Sequence, residues 1–367
     1  MEFIDLKYQY RLYQKEIDKA ISDILQSGMF IMGKSIVNLE EQLAAYVNVK
    51  YCLGVSSGSD ALTLALKALE VGPGDEVICV PYTWVSPVEC VKNLGAKPVF
   101  VDIDPETYLM DVNQIEAAVT SKTKAIIPVS LYGQMPDFNK IKQIAEKYNL
   151  AVIEDAAQSF GAEQNAQKSC SLSIIGVTSF FPTKPLGCYG DGGAIFTNSE
   201  KLANKMYALR VHGAPERYNH QYIGQNARLD TLQAAILLAK LPFFSKELKK
   251  RAEVGRYFTE HLKDDFVTPK VIPGNTHVYA QYPLRSPNRD LLMDELKRAD
   301  IPCAIYYPIC IHEQPAYADL GYKKGDFPNA EKVSCEMFNI PMHPFLERNE
   351  QDLIIDVLKK SSQLQRI

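Results

Sequence analysis

Apolar residues fall at helical spacing over residues 10–27 and 36–48, with Ile17, Ile21, Ile24 and Leu25 marking the first stripe. The run "YCLGVSSGSDALTLALKALEVGPGDEVICV" then passes from an apolar segment through a turn of small residues into a helix. Ala61, Leu62, Ala65, Leu66 and Leu69 form the inner face of that helix, and "GPGDE" stops it. The runs "DEVICVPYT", "AKPVFVDID", "KAIIPVSL" and "LAVIEDAAQ" are short and rich in Val and Ile, with helical segments near 86–94, 111–119 and 137–148 between them. Such alternation predicts an α/β fold with a mostly parallel sheet flanked by helices on both faces. After "GGAIFTNS" the pattern predicts helices near 199–210 and 230–241, with a break at Pro242. A charged helix over 244–264, strand-like "HVYAQYPLRS" and a helix over 289–298 follow. The expected organisation is a large domain over residues 1–242 and a smaller C-terminal α+β domain over 243–367.

Composition changes this picture little. The chain has 367 residues, 46% hydrophobic and 23% charged, with a formal net charge of −4. Neither that balance nor any Lys/Arg run supports nucleic-acid binding. No apolar stretch approaches the roughly 20 residues of a membrane span, and "MEFIDLKYQY" lacks the features of an export signal. The expectation is a cytoplasmic protein with no membrane partner. Eight scattered cysteines without a CxxC pair read as reduced, mostly buried thiols, with no metal site.

Three stretches place polar side chains where ligands bind in open α/β sheets, beyond the carboxyl ends of strands. "SSGSDAL" opens a helix with Ser57, Gly58 and Ser59; it suits a phosphate, although taken alone the stretch reads first as simple helix capping. "AVIEDAAQS" ends a strand with Asp155 and Gln158. A carboxylate among apolar neighbours needs a cation, either a structural Arg or Lys or a protonated ring nitrogen. "PYTWVS" carries Trp84, the only tryptophan, as a core residue or a surface for stacking a heterocycle.

The fourth stretch, "SFFPTKPLGCYGDGG" at 179–193, pins Lys184 between aromatic residues and prolines, ahead of glycines that tolerate positive φ and close backbone approach. Neither a GxxxxGK[ST] loop nor a strand-to-helix GxGxxG is present. A lysine held this way reads as one kept for a Schiff base with an aldehyde cofactor. Phosphate cup, stacking surface, ring carboxylate and Schiff-base lysine together match pyridoxal 5′-phosphate.

At this point the chain resembles the DegT/DnrJ/EryC1/StrS family of pyridoxal-phosphate-dependent sugar aminotransferases. The likeness runs from "IDLKYQY" to "FNIPMHPFL" and is most specific in "GSDALTLALKALEVGPGDEVI", "IEDAAQSFGA", "TSFFPTKPLGCYGDGGAIFTN" and "GQNARLDTLQAAIL". It implies a fold-type I transferase. Lys184 would carry the cofactor and move protons, Asp155 would pair with the pyridinium nitrogen, and Gln158 would contact the ring hydroxyl. Trp84 would take the stacking position, with Gly58, Ser59 and Ser179 in the phosphate cup.

The same resemblance implies that Asn226 reaches the phosphate from the partner subunit of a homodimer with shared sites. Arg228 would anchor an acidic group, and Tyr306, Tyr307 and His312 lie in "IYYPICIHEQPAY", which borders the sugar pocket. The implied reaction moves the amino group of L-glutamate to a keto-sugar nucleotide. The run around Lys184 is most similar to the 3-oxo-glucuronate subgroup. This implies a UDP-linked 3-keto N-acetylhexosamine or its uronic acid, in bacterial surface polysaccharide biosynthesis. The subgroup's His-Tyr-Pro is here Tyr306-Tyr307-Pro308, which leaves the sugar's carboxylate open. A 4-keto substrate and a non-catalytic dimeric regulator stand as alternatives. A keto-sugar dehydratase is disfavoured because those relatives replace the lysine by histidine.

Overall fold

The computed structural model describes residues 1–364. Two amphipathic helices, α1 (Leu6–Ser27) and α2 (Lys34–Val47), precede the sheet. The chain then runs β1 (Tyr51–Val55), α3 (Gly58–Ala68), β2 (Glu76–Cys79), α4 (Ser86–Asn93), β3 (Lys97–Phe100), the single turn α5 (Ile115–Ala118) and β4 (Thr123–Ile126). It continues through α6 (Phe138–Tyr148), β5 (Ala151–Asp155), a small hairpin of β6 (Glu163–Gln164) and β7 (Gln167–Lys168), β8 (Ile175–Ser179), β9 (Gly193–Thr197) and α7 (Glu200–Arg210).

Seven of these strands form one sheet in the order β1-β9-β8-β5-β4-β2-β3. All its neighbours are parallel except those of β9, which runs antiparallel to both β1 and β8. The mostly parallel sheet expected from alternation is therefore present. Its central strands are buried, as two covered faces require. Six of the eight free cysteines are buried.

The predicted break at Pro242 is absent. Helix α8 runs unbroken from Thr231 to Leu262 with Pro242 inside it. A proline there forgoes one backbone hydrogen bond and crowds the preceding turn, at a cost of about 3 kcal/mol. Packing just beyond it offsets that cost: Phe243 stacks on Tyr13 at 4.0 Å between centroids, and Phe244 is buried against Phe160. The helix thus carries the chain out of the sheet body in mid-course. Beyond it lie β10 (Tyr282–Arg285), α9 (Arg289–Arg298), α10 (Pro328–Glu336), β11 (Met337–Ile340) and α11 (Arg348–Leu364). Strands β10 and β11 pair antiparallel, and the buried residues around them form a separate apolar cluster between Val254 and Leu358. No helix among the described residues is long and apolar enough to cross a membrane.

Candidate active site

Strand β8 and helix α3 meet because both carry small residues. A methyl group on Gly58 would fall 2.9 Å from Cβ of Ser179. Ser57 caps α3 by accepting from the Asp60 N–H at 3.0 Å, so the helix does use the cap that the sequence allows. The Ser59 hydroxyl turns instead to the hydroxyl of Ser86, 2.6 Å away at the start of α4. Gly58, Ser59 and Ser179 are therefore gathered at two helix N-termini, where backbone N–H groups and helix dipoles favour a phosphate. No residue pattern marks Ser86 as a site residue, although it ends "PYTWVS", which follows a strand as "SSGSDAL" does.

The next strand in the sheet supplies the carboxylate. Asp155 ends β5 with its backbone fixed on both sides: its N–H donates to the Pro128 carbonyl and its own carbonyl accepts from Ser130. The side chain is buried and accepts from the Ala157 N–H at 3.0 Å. Among the described residues no Arg, Lys or His forms an ion pair with it within 4.0 Å, and the charge that acts on it is that of Lys184. Burial pushes its pKa up, against the opposing pull of that hydrogen bond and of the Lys184 charge. A buried carboxylate with no cation in direct contact is costly, and a protonated ring nitrogen removes that cost.

Lys184 faces this carboxylate from a closed loop. Its N–H donates to the Phe181 carbonyl at 2.9 Å, the Cys188 N–H donates to Phe180, and the buried Lys240 amine holds the Gly187 carbonyl. The Lys184 pKa is lowered by burial and raised back in part by Asp155. The glycines of "GCYGDGG" do not serve as left-handed residues, since none of Gly187, Gly190, Gly192 and Gly193 has positive φ. Close approach explains them: a methyl group on Gly193 would meet the Ser57 backbone, and one on Gly187 the Pro182 carbonyl. The N-terminal turn at Asp5 and Gln9, with Arg251 and His343, closes over the other side of Lys184. No local motif signals those neighbours, because they come from α1, α8 and the C-terminal region, far from Lys184 in sequence.

Gln158 is buried. Its Oε1 accepts from the Tyr132 N–H at 2.7 Å and its Nε2 donates to the Tyr307 hydroxyl at 3.2 Å. Trp84 is 58% exposed, with its ring centroid 6.1 Å from that of Tyr307, which leaves an indole face free to stack on a heterocycle. Tyr306 is partly exposed beside Phe3.

Three expected site residues lie elsewhere. His312 is buried, its ring against Phe327 and its Nε2 3.1 Å from Glu331, so no substrate reaches it in this structure. Asn226 and Arg228 sit on an extended segment whose backbone bridges Val211 and Val55. With Ser56 and Asp191 they line an open cavity of about 390 Å³, whereas Lys184 lines a different one.

The groups that do converge, a phosphate cup, an exposed indole, an unpaired buried carboxylate and a lysine of lowered pKa, fit pyridoxal 5′-phosphate. Comparison with known proteins agrees. The chain is 49% identical over 348 residues to the UDP-2-acetamido-2-deoxy-3-oxo-D-glucuronate aminotransferase of Pseudomonas aeruginosa, covering 95% of this chain and 96% of that protein. It is 45% identical to a protein of Geobacillus stearothermophilus named pleiotropic regulatory protein, covering 96% of each. The crystal structure of NtdA from Bacillus subtilis with its cofactor PMP bound superposes with a TM-score of 0.89 at 29% identity, covering 98% of this chain and 83% of that one. Pyridoxal phosphate is the cofactor that these findings and the site share. The model of the DegT/DnrJ/EryC1/StrS aminotransferase family matches residues 12–359, and the chain belongs to that family.

Proposed function

We propose that this enzyme transfers the amino group of L-glutamate to the keto carbon of a UDP-linked 3-keto N-acetylhexosamine or its uronic acid. The observation that carries the reading is Asp155, a buried carboxylate with no cation of its own, opposite the lysine whose amine burial drives toward neutrality. Pyridoxal phosphate, when bound, supplies an aldehyde that carries the amino group and a ring that takes up the electrons of a broken C–H bond. Asp155 keeps that ring protonated. The Lys184 amine takes a proton at the amine-bearing carbon and returns it to the carbon that becomes aminated. The Gly58, Ser59 and Ser179 cup holds the phosphate, Trp84 covers one ring face and Gln158 faces the ring hydroxyl.

The C3 position and the UDP handle rest on the likeness to the glucuronate enzyme. Glutamate as donor, the cytoplasm as location and surface polysaccharide such as O-antigen as destination belong to the same reading. Asn226 and Arg228 line a cavity apart from Lys184, which supports a homodimer in which they serve the partner's site. The domain division near residue 242 stays part of the proposal, with the second body built on the C-terminal part of α8.

The test supplies glutamate and candidate UDP-3-keto and UDP-4-keto sugars and weighs the products by mass spectrometry. An amine on the 3-keto sugar is expected; product from the 4-keto sugar alone overturns the C3 assignment. The name of the Geobacillus relative favours a second reading, a dimeric regulator that does no chemistry. Visible absorbance bleached by glutamate separates the two, because a regulator has no use for amino transfer.

A further inference from the structure

A free glutamine amide presents either a donor or an acceptor, because its two ends exchange by a half-turn. The negatively charged ring oxygen of a bound pyridoxal phosphate requires a donor. Gln158 has no such freedom. A backbone N–H, that of Tyr132, occupies its Oε1 at 2.7 Å and cannot reverse its role. The Tyr307 hydroxyl occupies one N–H of Nε2 at 3.2 Å, which leaves one N–H to give.

Tyr307 is itself held from several sides. Its backbone N–H donates to the Tyr82 hydroxyl at 3.0 Å. The Tyr82 and Tyr132 hydroxyls lie 3.0 Å apart, and both reach the Tyr306 carbonyl. Two O–H protons thus serve three contacts, so the pair shares its donors around that carbonyl. The Tyr307 ring packs against Tyr82 at 6.2 Å, Trp84 at 6.1 Å and Tyr306 at 6.0 Å between centroids. The result is a closed circuit of Gln158, Tyr307, Tyr82 and Tyr132, with Tyr132 joined to Gln158 through its backbone and to Tyr82 through its hydroxyl.

We infer that Tyr307 is a positioning residue for the cofactor: the Tyr132 N–H sets which end of the Gln158 amide donates, and the Tyr307 hydroxyl, by accepting from Nε2, holds that donor end in the plane that aims its second N–H at the ring oxygen. The inference rests on the proposed place of Gln158 beside the ring. It divides the tyrosine pair: both are partly exposed, but Tyr307 alone takes the Gln158 bond and is assigned to the ring, which leaves Tyr306 to the sugar. Asp155 and Lys184 are the charged groups that share this region.

The readout is the pH at which the visible absorbance of the holoenzyme's Lys184 linkage changes. When the linkage nitrogen loses its proton, the ring oxygen's charge depends more heavily on the Gln158 donor, so loosening that donor raises the midpoint. Tyr307→Phe keeps the ring and its packing and is expected to raise the midpoint by about half a pH unit or more. Gln158→Ala should raise it at least as far, and the double variant should match Gln158→Ala alone, because the two act through one contact. Tyr82→Phe, which loosens the circuit but leaves the Tyr307 hydroxyl, should give a smaller shift in the same direction. A Tyr307→Phe midpoint equal to that of the wild type, with only the sugar KM changed, overturns the inference, as does an additive double variant. A wild-type protein that takes up no added pyridoxal phosphate and shows no visible band sinks instead the cofactor reading beneath it.

Discussion

A methyl group added to Gly193 would sit 2.6 Å from the carbonyl carbon of Ser57, because the first residue of β9 lies against the turn that opens α3. Backbone atoms cannot swing aside as a side-chain tip can. Gly193→Ala therefore displaces the helix N-terminus on which the phosphate cup depends. Overpacking of this kind costs about 1–3 kcal/mol. We expect a folded protein whose affinity for pyridoxal phosphate falls about tenfold or more, a loss within that energy range. Absorbance titration of the apoprotein measures it.

Asp155→Asn retains the shape of the side chain and removes its charge. The variant should still take up the cofactor and become coloured, since cup, lysine and indole are intact. Its kcat should fall about a hundred- to a thousandfold, the usual scale for losing one preorganised electrostatic partner. Half-reaction rates with glutamate alone test this without the sugar. A variant that turns over at the wild-type rate rules out the ring-nitrogen role.

Glu154, the neighbour of Asp155 on β5, points its carboxyl to Ser130 and Cys170. Its Oε2 accepts from the Cys170 N–H at 2.7 Å and its Oε1 lies 3.3 Å from the Ser130 hydroxyl. Burial pushes its pKa up from the ordinary 4.5 to about 8, against the pull of those two hydrogen bonds. The folded state thus keeps a proton that the unfolded state releases. That contribution to stability is complete below about 4.5 and is lost as pH rises toward about 8. Glu154→Gln mimics the neutral acid, with its oxygen toward Cys170 and its amide N–H toward Ser130. Denaturation of the apoproteins across this window should show the wild type losing stability relative to the variant. Parallel curves contradict the assignment.

The proposed sharing of sites between subunits makes a prediction that single variants do not. Lys184→Ala and Arg228→Ala homodimers should both be nearly inactive. Mixed subunits give heterodimers in which one site combines an intact Lys184 with the partner's intact arginine. Such heterodimers should recover about half the wild-type rate per dimer, one working site of two. No recovery means that each chain uses its own arginine.

The placing of Lys184, Asp155 and Gln158 in one region was legible in the sequence because each chemical type stands at a strand end or in a stiffened loop, where local pattern and position coincide. The mostly parallel sheet was legible for the same reason, since strand–helix alternation is written in short runs. What escaped depended on distant partners. Pro242 reads as a break, and only Tyr13 and the aromatic packing of Phe243 and Phe244 show why the helix continues. His312 reads as a pocket residue until Glu331 and Phe327 are seen to bury it. The glycines after Lys184 read as suited to positive φ or to close backbone approach, and only the second holds: Gly193 gives room to the Ser57 backbone and Gly187 to the Pro182 carbonyl. Tyr82 and Tyr132 carry no signal at all, being 50 residues apart and joined only in the fold, by their own hydroxyls and around the Tyr306 carbonyl.

The most direct measurement reduces the holoprotein with borohydride and maps the peptides. A phosphopyridoxyl mark on Lys184, and on no other lysine, is the predicted result. A mark on a different lysine, or none in a protein that has taken up the cofactor, contradicts the account.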